Sequence, residues 1–304
     1  MHISYTGSGP YCYANSFAMM FGEAAPSTAV IEFATSSPFG MQLIGGKLPF
    51  FDPYGWDPER SFEDTLTALG WTSDVVKGGS ADDALLRLRA ALADGPVWVG
   101  PVEMGHLRHQ PGMSGPIEAD HYVVVLKIDR DWVLMHDPQG YPYATLPLKD
   151  FMEAWAARTL SYGTSYTMRT GFVRQRDVSD VDAIRGSLPA ARRWLSMKDV
   201  PSMPEGSLGN GAAAEALAGL VGKGCDEGLR AHLIHFAVRV GARRANDAAA
   251  CLARIGRHEA AGVAAEQARL IGSLQHPLVF RDDKAAAAQL LKLAPTYDRL
   301  LAVL

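Results

Sequence analysis

Three side chains of the kind used in thiol catalysis stand far apart along the chain: Cys12, His121 and Asp137. A cysteine attacks only as its thiolate, so it needs surroundings that favour the anion. It also needs a base within hydrogen-bond reach, and a third group that orients the base. In "GSGPYCYANSFAMMFG" the cysteine follows a glycine and proline approach and precedes an apolar run. That pattern predicts a helix beginning near Cys12, with its positive end at the sulfur. His121 opens the β-branched run "HYVVVLKI", and Asp137 closes "WVLMHD" just before Pro138 and Gly140. The short "DRD" between the two runs predicts a hairpin. Asp137 would then accept a hydrogen bond from the His121 ring and fix its tautomer. The plain alternatives are a packed cysteine, a structural histidine and a turn aspartate. The order helix start, strand start, strand end favours chemistry.

The elements that must position these residues are legible in part. "YANSFAMMFG" reads as a buried helix ended by Gly22, and "STAVIEFATS" as a second one. "SADDALLRLRAALADG" has a capping box formed by Ser80 and Asp83, with Leu85, Leu88 and Leu92 on one face. "PVWVGPV", "HYVVVLKI", "WVLMHD" and "SYTMRTGFVRQ" read as strands, and "PLKDFMEAW" as a helix. Helices followed by an antiparallel sheet make an α+β layout over residues 1–177. From Val178 onward only helical patterns and one Pro/Gly/Ser linker, "DVPSMPEGSLGNG", remain. Residues 178–304 are therefore expected to form an all-α domain.

The 304 residues, 48% of them apolar, suffice for two such domains. The net charge of −4 argues against nucleic acid as a partner. Three widely spaced cysteines do not form a disulfide framework, and neither a secretory leader nor a membrane span is evident. The expectation is a reduced, cytoplasmic protein.

The stretches "YCYANSFAMMFGEAAPSTAVIEFA", "DHYVVVLKIDRDWVLMHDPQGYPYATLPLKDFMEAW" and "FAVRVGARRANDAAACLARIG" resemble papain-like thiol enzymes of the double-glycine peptidase branch, and more closely the butirosin biosynthesis protein H family. That resemblance implies a papain-like domain followed by a helical one. It implies a cysteine acyltransferase of natural-product biosynthesis that forms an amide from a carrier-protein thioester and an amine. Cys12, His121 and Asp137 carry over as nucleophile, base and orienter. The resemblance implies no cofactor beyond a phosphopantetheine-linked substrate. Papain-like peptidases place a glutamine about six residues before the cysteine as an oxyanion donor. Here that position is Thr6, with Tyr5 and Ser8 as further candidates beside the Cys12 amide. A missing donor costs roughly 10²–10³ in rate, which weighs less on an activated thioester than on a peptide. A hydrolase using the same triad, and a non-catalytic binding protein, stay open as alternatives.

Phe51, Asp52, Tyr54 and Trp56, in "GGKLPFFDPYGWDPER", would suit an acyl chain and a cationic amine, or plain packing. Arg239, Arg243 and Arg244 would suit an acidic carrier protein, or a solvated face. "HLRH" at His106 and His109 and "HLIH" at His232 and His235 have one-turn ligand spacing. They lack the glutamate of a zinc protease motif, so no metal site is expected. The "HLRHQPGMSG" stretch is a candidate loop over the cleft.

Overall fold

The computed structural model describes residue 7, residues 9–198 and residues 200–304. Its elements begin with α1 (Cys12–Phe21), α2 (Thr28–Ala34), β1 (Gln42–Ile44), β2 (Leu48–Phe50), α3 (Phe62–Leu69), β3 (Trp71–Val76) and α4 (Ala81–Asp94). They continue with β4 (Val97–Glu103), β5 (Asp120–Asp129), β6 (Trp132–Asp137), β7 (Tyr141–Pro147), α5 (Leu148–Ala156) and β8 (Met168–Arg174). The rest are α6 (Asp180–Leu195), β9 (Leu208–Gly209), α7 (Asn210–Gly222), α8 (Glu227–His232), α9 (Val238–Arg254), α10 (His258–Gly272), α11 (Gln275–Val279), α12 (Asp283–Leu293) and α13 (Thr296–Val303). The α+β class is as expected. Among the described residues no helix is long and apolar enough to cross a membrane.

The chain divides into two compact units, and the boundary differs from the expected one. The first unit holds residues 1–28 and 70–177, and the second holds 29–69 and 178–304. The compact units are thus not contiguous at 177/178, and residues 178–304 are helical apart from the two-residue β9. Residues 29–69 join the second unit because β1 pairs with β9, Gln42 opposite Gly209. Asn210 reinforces this, its N–H donating to Met41 O at 2.7 Å. The second unit thus carries a three-stranded sheet, β2-β1-β9, beside its helices.

The first unit is built on a six-stranded antiparallel sheet in the order β3-β8-β4-β5-β6-β7. The expected strands are β4, β5, β6 and β8. Strands β3 and β7 were not expected, because as edge strands each buries a single residue and lacks an apolar run. One layer of core gathers Leu88 of α4, Phe151 and Trp155 of α5, and Val99, Val123 and Met135 of the sheet. Ser80 caps α4 as expected, accepting from Asp83 N and donating to its carboxylate.

Helix α1 is apolar on almost every side, so it is held by rings rather than by caps. Phe17 stacks on Trp98 at 5.0 Å between centroids, and Phe21 stacks on Trp71 at 4.4 Å. Trp98 also lies 4.8 Å from Tyr122, which meets Tyr13 edge-on at 5.9 Å. Such pairs add about 0.5–1.5 kcal/mol each beyond area burial. Gly100 leaves room for the Tyr122 ring, since a Cβ there would fall 2.2 Å from Tyr122 Cδ1.

Candidate active site

Cys12 is the first residue of α1, so its sulfur sits at the positive end of a ten-residue helix. The preceding Tyr11 takes a left-handed backbone conformation, φ 94° and ψ 42°, which turns the chain abruptly into the helix. Such a conformation is uncommon for a residue with a side chain, and it recurs where function requires it. One turn into α1, Ser16 Oγ donates to the carbonyl of Tyr122 at 3.3 Å. That bond ties the cysteine helix to β5 at the residue after His121.

His121 and Asp137 share one face of the sheet. Val124 lies opposite His136 across β5 and β6. One step along the same register sets Asp137 opposite Val123, and His121 stands two residues before Val123, on the same side. Nε2 of His121 lies 2.6 Å from Asp137 Oδ1. Nδ1 is then the nitrogen left for the thiol of Cys12, with which the His121 ring is hydrogen-bonded. All three sequence-identified residues therefore meet in a single row.

The electrostatics follow from this row. Burial alone would push the His121 imidazole down. The charge and hydrogen bond of Asp137, and then those of Cys12, outweigh burial and hold its pKa well above the ordinary value. Burial would likewise push Asp137 up. The charge of His121 and hydrogen bonds from His109, His121 and the Gln139 N–H hold it far below the usual carboxylate range. An imidazolium so stabilised beside a thiol at a helix start favours the thiolate. Cys225 and Cys251 have the opposite setting: burial raises both thiols, that of Cys251 to about 12.

Two residues of the site were not singled out for this role. His109 Nε2 and Gln110 Nε2 each lie 2.7 Å from Asp137 Oδ2. They belong to the 104–119 loop between β4 and β5, the stretch expected to lie over the cleft. Its anchor is Glu103, almost fully buried at the end of β4. Glu103 accepts from the N–H groups of Gly105, Ile117 and Glu118 at 3.0–3.1 Å and from Thr159 Oγ1. Burial raises the Glu103 carboxyl, but these donors more than offset it and leave its pKa lowered. Within the loop the chain crosses itself so closely that a Cβ on Gly105 would fall 1.9 Å from Gly115 O. The only advance signal was a polar His-Gln pair before Pro-Gly in a long connection.

The remaining candidates lie elsewhere or outside the described residues. Thr6, Tyr5 and Ser8 are among the residues not described. Phe51, Asp52 and Trp56 are buried in the second unit and do not line an open groove. Asp52 accepts from Gln42 Nε2 at 2.6 Å and pairs with Arg244 at 3.1 Å, while the Arg244 guanidinium lies 5.6 Å from the Trp56 ring centre. Tyr54 is half-buried beside Gly209, where a Cβ would meet it at 2.9 Å. The expected arginine patch is corrected as well. Arg244 is buried and pairs with Glu32 at 2.8 Å, and Arg243 faces Asp247 at 3.7 Å. Only Arg239 is an exposed cation of that trio, and its Nη1 donates to His235 O. His136, expected to face away from Asp137, accepts from Tyr143 N at 3.1 Å. Among the described residues no group of three or more His, Cys, Asp or Glu side chains is arranged to hold a metal ion.

Residues 204–304 match the YobF C-terminal domain model. Over 301 residues the chain is 27% identical to an uncharacterized protein, YobF, of Bacillus subtilis (strain 168), covering 97% of this chain and 96% of that protein. The matched domain spans α7–α13 and omits residues 29–69 and α6, which complete the same compact unit.

Proposed function

We propose that the chain is a cysteine-dependent acyltransferase that forms an amide from an acyl thioester and an amine through an acyl-Cys12 intermediate. The observation that carries this reading is Cys12 at the start of α1, hydrogen-bonded to His121, whose other nitrogen rests on the buried Asp137. The papain-like resemblance of the Cys and His segments supports it. The preference for transfer over hydrolysis, the carrier-protein donor and the natural-product setting rest on the likeness to the butirosin biosynthesis protein H family. A reducing cytoplasm suits three free thiols, one of them a nucleophile.

In this mechanism the Cys12 thiolate attacks the thioester carbonyl carbon. The bond to the carrier sulfur breaks, and the departing thiolate takes the proton held on His121 Nδ1. The amine then attacks the acyl-Cys12 carbonyl while neutral His121 removes its proton. The bond to Cys12 Sγ breaks, and the thiolate–imidazolium pair is restored. Asp137 stays ionised throughout, fixing the ring through Nε2 and stabilising its positive form. No oxidant, reductant or metal enters the balance.

The test is a product analysis with acyl thioesters, with and without an added primary amine. Amide formed only with the wild-type chain, and absent from Cys12→Ser, supports transfer. Free acid as the sole product, undiminished by amine, assigns the site to a hydrolase. A Cys12→Ser variant with full activity removes the catalytic reading altogether.

A further inference from the structure

Asp137 holds two imidazoles, one on each oxygen. His121 Nε2 lies 2.6 Å from Oδ1, and His109 Nε2 lies 2.7 Å from Oδ2. The side chain of His109 is 8% exposed and that of Asp137 is 0% exposed. Gln110 Nε2 and the Gln139 N–H already donate to the same carboxylate, at 2.7 and 2.8 Å. A fourth donor completes the coordination of the two oxygens, but an amide would serve that purpose equally well. An imidazole adds something an amide lacks, the capacity to take up a second proton and with it a charge. The second nitrogen of His109, Nδ1, is buried with no hydrogen-bond partner among the described residues. With Nε2–H donating to Asp137, Nδ1 is an acceptor in the neutral ring, and protonation puts an N–H there with no acceptor among the described residues.

We propose that His109 is a positioning residue for the triad, whose own protonation sets how firmly Asp137 holds the His121 imidazolium. The proposal rests on the thiolate–imidazolium reading of Cys12 and His121, but not on the identity of the acyl donor. With His109 neutral, the carboxylate charge is available to His121. With His109 protonated, one carboxylate is shared by two cations. Two imidazoliums bridged in this way stand roughly 6–7 Å apart, close enough to repel each other appreciably in the protein interior. His121 is closer than the Cys12 sulfur to the added charge. The balance therefore tips from thiolate and imidazolium to thiol and imidazole, and the proton passes from His121 Nδ1 to Cys12 Sγ. A proton on His109 thus weakens the nucleophile while Asp137 itself stays ionised.

The surroundings of His109 leave Asp137 as its governing charge. Asp137 meets it from β6, and His121 of β5 faces it across the carboxylate. Tyr141 of β7 meets its ring edge-on at 5.4 Å. The neighbouring Arg108 turns to Asp150 of α5, at 3.1 Å, and His106 lies 3.8 Å from Glu153 of the same helix. The loop that carries His109 is pinned by Glu103, so the ring is held at the carboxylate by the backbone as well as by its own bond.

The test is the pH dependence of Cys12 alkylation by iodoacetamide, followed by intact mass on the full chain between pH 4.5 and 9. This readout needs no acyl donor, so failure of the transferase reading leaves it unaffected. In His109→Gln the amide still donates to Oδ2 but does not titrate. As pH falls, the wild-type rate is expected to drop in a step of about 10-fold or more that depends on His109. His109→Gln is expected to lack that step. Superimposable profiles overturn the proposal, as does a folded His109→Gln chain that is unreactive at every pH. If His109→Gln does not fold, ring NMR of ¹³C-labelled histidine in the unaltered chain decides. Titration of His109 must displace the His121 resonances, and two independent titrations refute the coupling.

Discussion

The replacement Asp137→Asn separates charge from shape. Four donors converge on the two carboxylate oxygens: His121 Nε2 and Gln139 N on Oδ1, His109 and Gln110 on Oδ2. The Gln139 donor is a backbone N–H, so the amide oxygen of an asparagine stays on its side. The new NH₂ then faces Gln110, which can turn its own amide, and His109, which can change tautomer. The site remains filled, and the main loss is the negative charge beside His121. With the charges spread over both groups, their centres lie about 4 Å apart, worth about 4 kcal/mol at an effective dielectric of ~20. Acylation of Cys12 at pH 7 is therefore expected to fall on the order of 10²–10³-fold, measured as single-turnover adduct formation by intact mass. The effect on stability has a definite sign. A carboxyl held below its unfolded pKa contributes stability above about pH 3.9, and that contribution is lost as pH falls through the lower folded value. The variant is expected to lose roughly 3–5 kcal/mol at pH 7, and the gap to wild type should close in acid. An Asp137→Asn chain with wild-type alkylation rate and pH profile would show that the carboxylate does not govern Cys12.

Three further outcomes follow from the same geometry. Gly105→Ala places a methyl 1.9 Å from Gly115 O, so the 104–119 loop must open; slower Cys12 alkylation, together with lower thermal stability, is expected. Arg244→Met leaves Glu32 and Asp52 buried without their cation, at a cost of roughly 3–5 kcal/mol in urea unfolding; an unchanged midpoint contradicts that pairing. Iodoacetamide on the native chain at pH 7 should label Cys12 alone, since burial raises the thiols of Cys225 and Cys251; peptide mapping that finds either of them labelled at a comparable rate counts against the assignment.

The parts of the site readable in advance were those with local signals. A small-residue approach followed by an apolar run marked the start of α1, and β-branched runs marked β4 and β5. The hairpin then carried His121 and Asp137 to one face by pleat arithmetic. Residues 42–50 were opaque because each of their strands is three residues long, set among glycines and prolines. The pairing that fixes them is with residues 208–209, far along the chain. His109 and Gln110 meet Asp137 across 28 and 27 positions from a loop without periodicity, which no local pattern reports. Arg244 is different, because a signal was there. It lies on a stripe with Ala237, Val240, Ala248 and Cys251, all buried and spaced by three or four, whereas Arg239 and Arg243 share another face. Grouping the three arginines by proximity in sequence overlooked the helical period, and the period was the better guide.

The central claim is that Cys12 is an activated nucleophile, and the most direct measurement is the intact mass of the chain after brief exposure to acyl thioesters. A single acyl adduct on Cys12, absent in Cys12→Ser and discharged by an added amine, is the expected result. An unmodified wild-type chain across a panel of thioesters, or an adduct that persists in Cys12→Ser, would contradict it.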